Sequence, residues 1–165
     1  MEIVDVVDDN DVIIGSVPKE ELYKKLLTHR IVHVLIFNGK GEMALQMRSA
    51  NVAFCPKHWS TSVGGHVQSG ETCEQAAMRE MLEEIGITIP IEYVGKEIYE
   101  DSRPLKRFLY IYSANFDGPF NTNPEAVEHM DFFSLDEMER MIASGEKFHP
   151  ELKFLLEKRF GIKTA

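Results

Sequence analysis

The stretch Gly65–Ile87, GHVQSGETCEQAAMREMLEEIGI, limits what this chain can become more than any other. Thr72 followed three residues later by Gln75 is the signature of a capping box and predicts a helix starting at Cys73. Gly86 suits the position just past the helix end, where a left-handed residue is needed. The body Cys73–Ile85 has no proline or glycine and is rich in Ala, Met, Leu and Glu, all good helix formers. At about 100° per residue, Glu80, Glu83 and Glu84 share a wedge roughly 100° wide. Met78, Met81, Leu82 and Ile85 fall beside it as the expected core-facing stripe. Ala76 and Ala77 flank the wedge, and their small side chains leave room for a ligand or a close-packed loop.

Five glutamates and one arginine fall in the stretch Glu71–Glu84, four of the glutamates at specified positions of the pattern below. Like charges at helical spacing cost a few tenths of a kcal/mol per pair. Arg79 can pair with Glu83 at i+4, but one guanidinium does not neutralise three carboxylates. Mg²⁺ or Mn²⁺ would, because hard divalent cations select carboxylate oxygen. The competing reading is a solvated acidic helix face. The spacing, the preceding Gly64-Gly65 and the extra Glu71 favour a site that holds metal ions against a phosphate chain.

Those residues fill the pattern G-x5-E-x7-R-E-U-x-E-E-x-G-U, with U aliphatic, through Gly65, Glu71, Arg79, Glu80, Met81, Glu83, Glu84, Gly86 and Ile87. The chain therefore resembles the Nudix family. The resemblance implies an α/β fold, specifically an α/β/α sandwich with a mixed sheet. It implies metal-dependent cleavage, by water, of the diphosphate of a nucleoside diphosphate linked to another group. Glu80, Glu83 and Glu84 would be metal ligands, with Glu80 or a loop glutamate as general base. Arg79 would orient the glutamates, and Glu71 would support the loop or reach a metal through water. Gly64, Gly65 and His66 would line the substrate loop. The family often draws a further glutamate from outside the box; Glu125 and Glu128 are the candidates, with a solvated loop charge as the other reading of each. A homodimer is common in the family.

The rest of the chain predicts a single domain over 1–165. Residues 1–27 form an extension: strands near Glu2–Val7 and Val12–Val17 in a hairpin, then a short helix over Pro18–Leu27. Ile31–Phe37 and Met43–Arg48 flank Asn38-Gly39-Lys40-Gly41 as a second hairpin. Asn51–Ser62 reads as irregular. Further strands are expected near Ile91–Tyr99, Phe108–Phe116 and Met130–Phe133. Ser134 should cap a helix over Leu135–Ala143, and His149–Phe160 should form the last one. The net charge of −9 argues against nucleic-acid or anionic-membrane partners and leaves a small diphosphate as the expected one. Two cysteines without a CxxC pattern, and a start lacking a basic, apolar signal segment, fit a reduced cytoplasmic setting.

His29, Gln46-Met47-Arg48-Ser49 and Trp59-Ser60 … Gly65-His66 resemble the Nudix branch that holds isopentenyl-diphosphate isomerase and its hydrolase-like relatives. An isomerase is thus one alternative. Against it, the isomerase's cysteine position is Gly64 here, one of its three metal-binding histidines falls at Leu22, and its own box is degraded whereas this one is intact. A catalytically silent Nudix binding module is the other alternative; the undamaged Arg-Glu-x-x-Glu-Glu argues against it. His29 and His66 either pack in the core or contact a metal or phosphate. Phe54 and Trp59 either stack on a substrate group or fill the core. Arg48, Lys57, Lys106 and Arg107 either hold phosphate or are solvated.

Overall fold

The computed structural model describes residues 1–164. Strands β1 (Ile3–Val7) and β2 (Ile13–Pro18) pair antiparallel as the expected N-terminal hairpin. Asp8 closes its turn by accepting from the backbone N–H groups of Asn10 and Val12 at 2.8 and 3.0 Å. Asp11, left-handed at φ 62°, is the clasp that holds this turn to the rest of the molecule. It accepts from Arg30 Nε at 2.7 Å, from Lys96 Nζ at 3.0 Å and from the Tyr110 hydroxyl. Helix α1 (Lys19–Lys25) follows, with Pro18 as its cap residue.

The main sheet holds β3 (His29–Phe37), β4 (Met43–Arg48), β5 (Trp59–Ser60), β6 (Val63–His66), β7 (Glu92–Glu100), β8 (Lys106–Asn115) and β9 (Val127–Phe133). Its centre is β3, parallel to β8 along its whole length and antiparallel to β6 from Ile31↔His66 to Val34↔Val63. The β3–β4 hairpin expected around Asn38–Gly41 exists only at its base, where Phe37 faces Met43. Beyond that pair β6 takes the edge of β3, so β4 diverges and pairs instead with β9 and with β5, a two-residue strand inside the stretch expected to be irregular. Ser62 bridges the split. Its hydroxyl accepts from Ile36 N at 2.9 Å and donates to Ala44 O at 2.5 Å, which satisfies backbone groups that have lost their ladder partners.

Alternation along β3 builds two cores, one on each face of the sheet. Ile31 and Leu35 join Leu109, Ile111, Met138 of α3 (Leu135–Ala143) and Leu152, Leu155 and Leu156 of α4 (Pro150–Phe160). Val32, Val34 and Ile36 join Ala76, Ala77, Met81 and Ile85 of α2 (Cys73–Ile85) on the opposite face. Helices therefore cover a mixed sheet on both sides. Both expected capping boxes form, Thr72 with Gln75 and Ser134 with Glu137. Gly86 ends α2 left-handed at φ 68°.

The buried face of α2 is rotated from the one expected. Leu82 is 57% exposed, whereas Ala76 and Ala77 are fully buried and Glu84 is only 8% exposed. A sheet approaches a helix most closely where side chains are small, so the two alanines set the contact line and bring Glu84, close to them on the helical wheel, to the middle of it. The carboxylate wedge thus overlaps the packed face, and the alanines are core residues with no room for ligand.

Candidate active site

Strand β6 carries Gly64 and Gly65 across the N-terminal half of β3, and α2 lies against it. A Cβ on Gly65 would collide with the carboxyl group of Glu80, so only glycine lets that carboxylate lie on the loop backbone. A Cβ on Gly64 would stand 3.2 Å from His33 Nδ1, tighter than ordinary contact. Arg79 reads out the rest of the box. Its guanidinium donates to Glu71 at 2.6 and 3.1 Å, to Glu80 at 2.8 Å, to the more exposed Glu83 at 3.3 Å and to the His66 carbonyl at 3.1 Å. Glu71 also accepts from Gln68 N at 2.7 Å. Burial raises the Glu71 pKa, but the Arg79 and Gln68 hydrogen bonds outweigh it and the net shift is downward. The Arg79–Glu83 pair expected from spacing is the longest of these contacts; Glu71 and Glu80 are the stronger partners.

Glu84 is different. Gln46 Nε2 donates to it at 2.7 Å, and Glu80 shares a hydrogen bond with it. Burial, and then the neighbouring Glu80, raise its pKa well above the ordinary value; Gln46 and the Gly64 N–H oppose that shift without cancelling it. Burial raises Glu80 too. Glu80 has the Arg79 guanidinium beside it, whereas among the described residues no cation pairs with Glu84.

Among the described residues no three His, Cys, Asp or Glu side chains already stand in metal-holding geometry. The donor set nevertheless fits Mg²⁺ or Mn²⁺: all oxygen, with Glu80 pressed into a cradle that a Cβ would fill and Glu83 free to turn at 56% side-chain exposure. Glu80, Glu83 and Glu84 are the residues that can hold such an ion.

A cavity of about 680 Å³ opens over this surface. It is lined by Gly64, Gly65, His66, Arg79, Glu80, Glu83 and Glu84 of the box, by Gln46, Arg48, Phe54, His149 and Glu151, and by Glu2, Lys19 and Tyr23 of the N-terminal segment. Glu71 stands behind Arg79. Glu125 and Glu128 do not reach the cavity. Val127 is buried, so the strand alternation of β9 turns Glu128 outward, where Lys57 binds it at 2.5 Å. Glu125 is exposed in the turn before that strand.

His66 lines the cavity, while His29 is almost fully buried behind it. Their rings stack at 5.4 Å, and the Tyr23 hydroxyl lies 2.6 Å from His66 Nε2. Burial lowers their pKa values to about 4 for His29 and about 3 for His66, so both are neutral at pH 7. Trp59 is core, packed on Phe133. The four basic candidates all have partners: Arg48 on the Phe54 and Cys55 carbonyls, Lys57 on Glu128, Lys106 on Asp9, and Arg107 on Asp101 and Glu151.

Gln46, His33 and Glu151 were not anticipated as part of this site. His33 Nε2 lies 2.8 Å from Glu151 Oε1, and its Nδ1 lies 2.7 Å from Thr61 Oγ1. Arg107 donates to the other Glu151 oxygen at 3.2 Å. The available signal was a lone polar residue inside an apolar run, Gln46 in MALQMR and His33 in IVHVLIF. Glu151 had none, since an acid in the first turn of a helix is ordinary.

The NUDIX domain family model matches residues 27–155. The isopentenyl-diphosphate Delta-isomerase 2 of Photorhabdus laumondii is 35% identical over 123 residues, 74% of this chain and 70% of that one. An uncharacterized Nudix hydrolase of Pseudomonas aeruginosa is 31% identical over 131 residues, 79% of this chain and 78% of its own. A crystal structure of a Deinococcus radiodurans protein superposes with a TM-score of 0.84 at 24% identity, covering 95% of this chain and 98% of that one, and attests the fold. With the box, the sandwich and these likenesses together, the chain belongs to the Nudix family of hydrolases, enzymes that act on diphosphate bonds.

Proposed function

We propose that this chain is a Mg²⁺- or Mn²⁺-dependent hydrolase that cleaves the diphosphate of a nucleoside diphosphate joined to another group. The observation that carries the reading is Glu84, buried beside a large cavity against Glu80, with no cation paired to it among the described residues. The ion would be held by Glu80, Glu83 and Glu84. When bound it would supply Lewis-acid neutralisation of phosphate charge.

The chain's own residues do the rest. Arg79 and Glu71 lock the start of α2 to the loop, so the carboxylates keep their places. Gln46 and the Gly64 N–H fix the Glu84 oxygens. The side-chain-free backbone of Gly64 and Gly65 lets the Glu80 carboxylate and the His33 ring lie directly on the loop, which sets where the carboxylates stand. Glu80, whose proton affinity burial has raised, is suited to take a proton from the attacking water. The water oxygen forms a bond to one phosphorus, the bridging P–O bond breaks, and the departing phosphate keeps the electron pair. Residues 1–165 act in this reading as one domain, because Glu2, Lys19 and Tyr23 wall the same cavity as the box. A cytoplasmic location is part of it, supported by two free cysteines; among the described residues no helix is long and apolar enough to cross a membrane.

The relative named as an isomerase favours a second reading, isomerisation of a diphosphate-bearing olefin. Against it, neither cysteine lines the cavity, and burial pushes the Cys73 thiol up to about 11. Release of nucleoside monophosphate or phosphate from a panel of diphosphates, with Mg²⁺ or Mn²⁺ and then with EDTA, separates the readings. Metal-dependent cleavage supports the hydrolase. Isomerisation of isopentenyl diphosphate without cleavage would replace it.

A further inference from the structure

Part of the cavity lining outside the box has a composition that phosphate binding does not explain. Phe54 is 52% exposed there, although a large aromatic ring gains free energy by burial. Its position is fixed: Arg48 Nε and Nη2 donate to the Phe54 carbonyl at 3.0 and 2.8 Å. His149 stands against it edge to face, with ring centroids 5.3 Å apart. His149 Nδ1 accepts the Glu151 N–H at 3.1 Å and so caps α4. Burial holds the His149 pKa down at about 4, so at neutral pH the ring carries its one proton on Nε2. That Nε2–H has no partner among the described residues, and it is not one of the sealed-off buried atoms. An open aromatic face and a free hydrogen-bond donor thus meet at one corner of the cavity.

We propose that Phe54 and His149 form a ring-binding subsite, in which a nucleobase of the substrate stacks on Phe54 and accepts a hydrogen bond from His149 Nε2–H. This rests on the nucleoside diphosphate reading above and names the residues that would hold the base. A nucleobase offers both a π face and acceptors at its edge. An isoprenoid chain would cover Phe54 but leave the donor desolvated and unpaired, which is costly.

The first test is calorimetric binding, with Mg²⁺ present, of uridine 5′-methylenediphosphonate and of ring-free methylenediphosphonate, neither of which is hydrolysed at the bridge. Stacking on one base predicts that the uridine compound binds roughly 5- to 150-fold more tightly. Phe54→Ala should remove most of that ratio, and Phe54→Tyr should keep it. His149→Asn retains an acceptor for the Glu151 N–H and should lower the ratio without unfolding α4. Equal affinity of the two compounds, or equal weakening of both by Phe54→Ala, would overturn the subsite. In turnover, UDP should exceed isopentenyl diphosphate in kcat/KM, and the reverse order would also overturn it. If no diphosphate is cleaved at all, the hydrolase reading fails, while the binding ratio still reports on the subsite.

Discussion

Glu84 and Glu151 are two buried glutamates that line one cavity, and their surroundings drive them in opposite directions. Glu151 faces His33 and Arg107; burial raises its pKa, but those partners outweigh that and bring it down to about 2. Glu84 faces Glu80 and an amide, and its pKa goes up. Burial alone therefore does not tell a structural carboxylate from a functional one. The presence or absence of a fixed cation does: Glu151 has the Arg107 guanidinium built into the fold, and Glu84 has room for one from outside.

The contrast breaks first at Glu84. Glu84→Gln removes a charge that the apo fold does not need, so thermal melting should stay at or above the wild-type midpoint, while metal-dependent turnover falls about a hundredfold or more. Glu83→Gln should behave alike. Wild-type turnover with Mg²⁺ in either variant would remove the carboxylates from the reaction.

Glu151→Gln should do the reverse. Arg107 keeps Asp101 but loses the buried Glu151 anion, and stability in denaturant unfolding should fall, by at most about 3–5 kcal/mol. The sign of the pH dependence follows from the lowered pKa. The Glu151 contribution is present above the ordinary carboxylate range and is lost as pH falls from about 4.5 through about 2. Wild-type stability should therefore drop across that acid window, and the Glu151→Gln variant should show a flatter profile there.

Gly65→Ala sharpens the link between loop and carboxylate. The new methyl group displaces Glu80 by a fraction of its own size, and misplacement on that scale costs about a hundredfold in turnover, read as kcat at saturating metal. The smallest effect should be that of Glu128→Gln, with kcat and the melting midpoint both unchanged, since that carboxylate meets only Lys57 at the surface. A large loss of kcat there would restore Glu128 as the extra base.

The two glutamates also show why the sequence was legible in some places and not in others. Box spacing placed Glu71, Arg79, Glu80, Glu83 and Glu84 near one another because a helix converts spacing directly into geometry. Caps at Thr72, Ser134 and Gly86 could be read for the same local reason. Glu151 could not, since its partners lie 118 residues away at His33 and 44 away at Arg107, and only the fold brings them together. The β3–β4 pairing failed likewise: a turn predicts a hairpin, but competition from β6 for the same edge is not local. Leu82 and Glu84 exchanged the expected places because amphipathicity was read from hydrophobicity alone, while the packed face followed the small residues Ala76 and Ala77.

The N-terminal hairpin and α1 lie before residue 27, where the family match begins. Even so, Ser69 of the box donates to Ile3 O at 2.9 Å, and Tyr23 reaches His66. The segment is an appendage in sequence and a wall in space. Such a division lets inheritance work on two separate parts. The box is tied by many mutual contacts of its own, whereas the appendage meets the rest through Asp11, Asp9, Ile3 and Tyr23, so a change in it can reshape the wall and leave the carboxylates in place. New substrate ranges can then arise beside an unaltered reaction, and recombination near residue 27 is where to look for them.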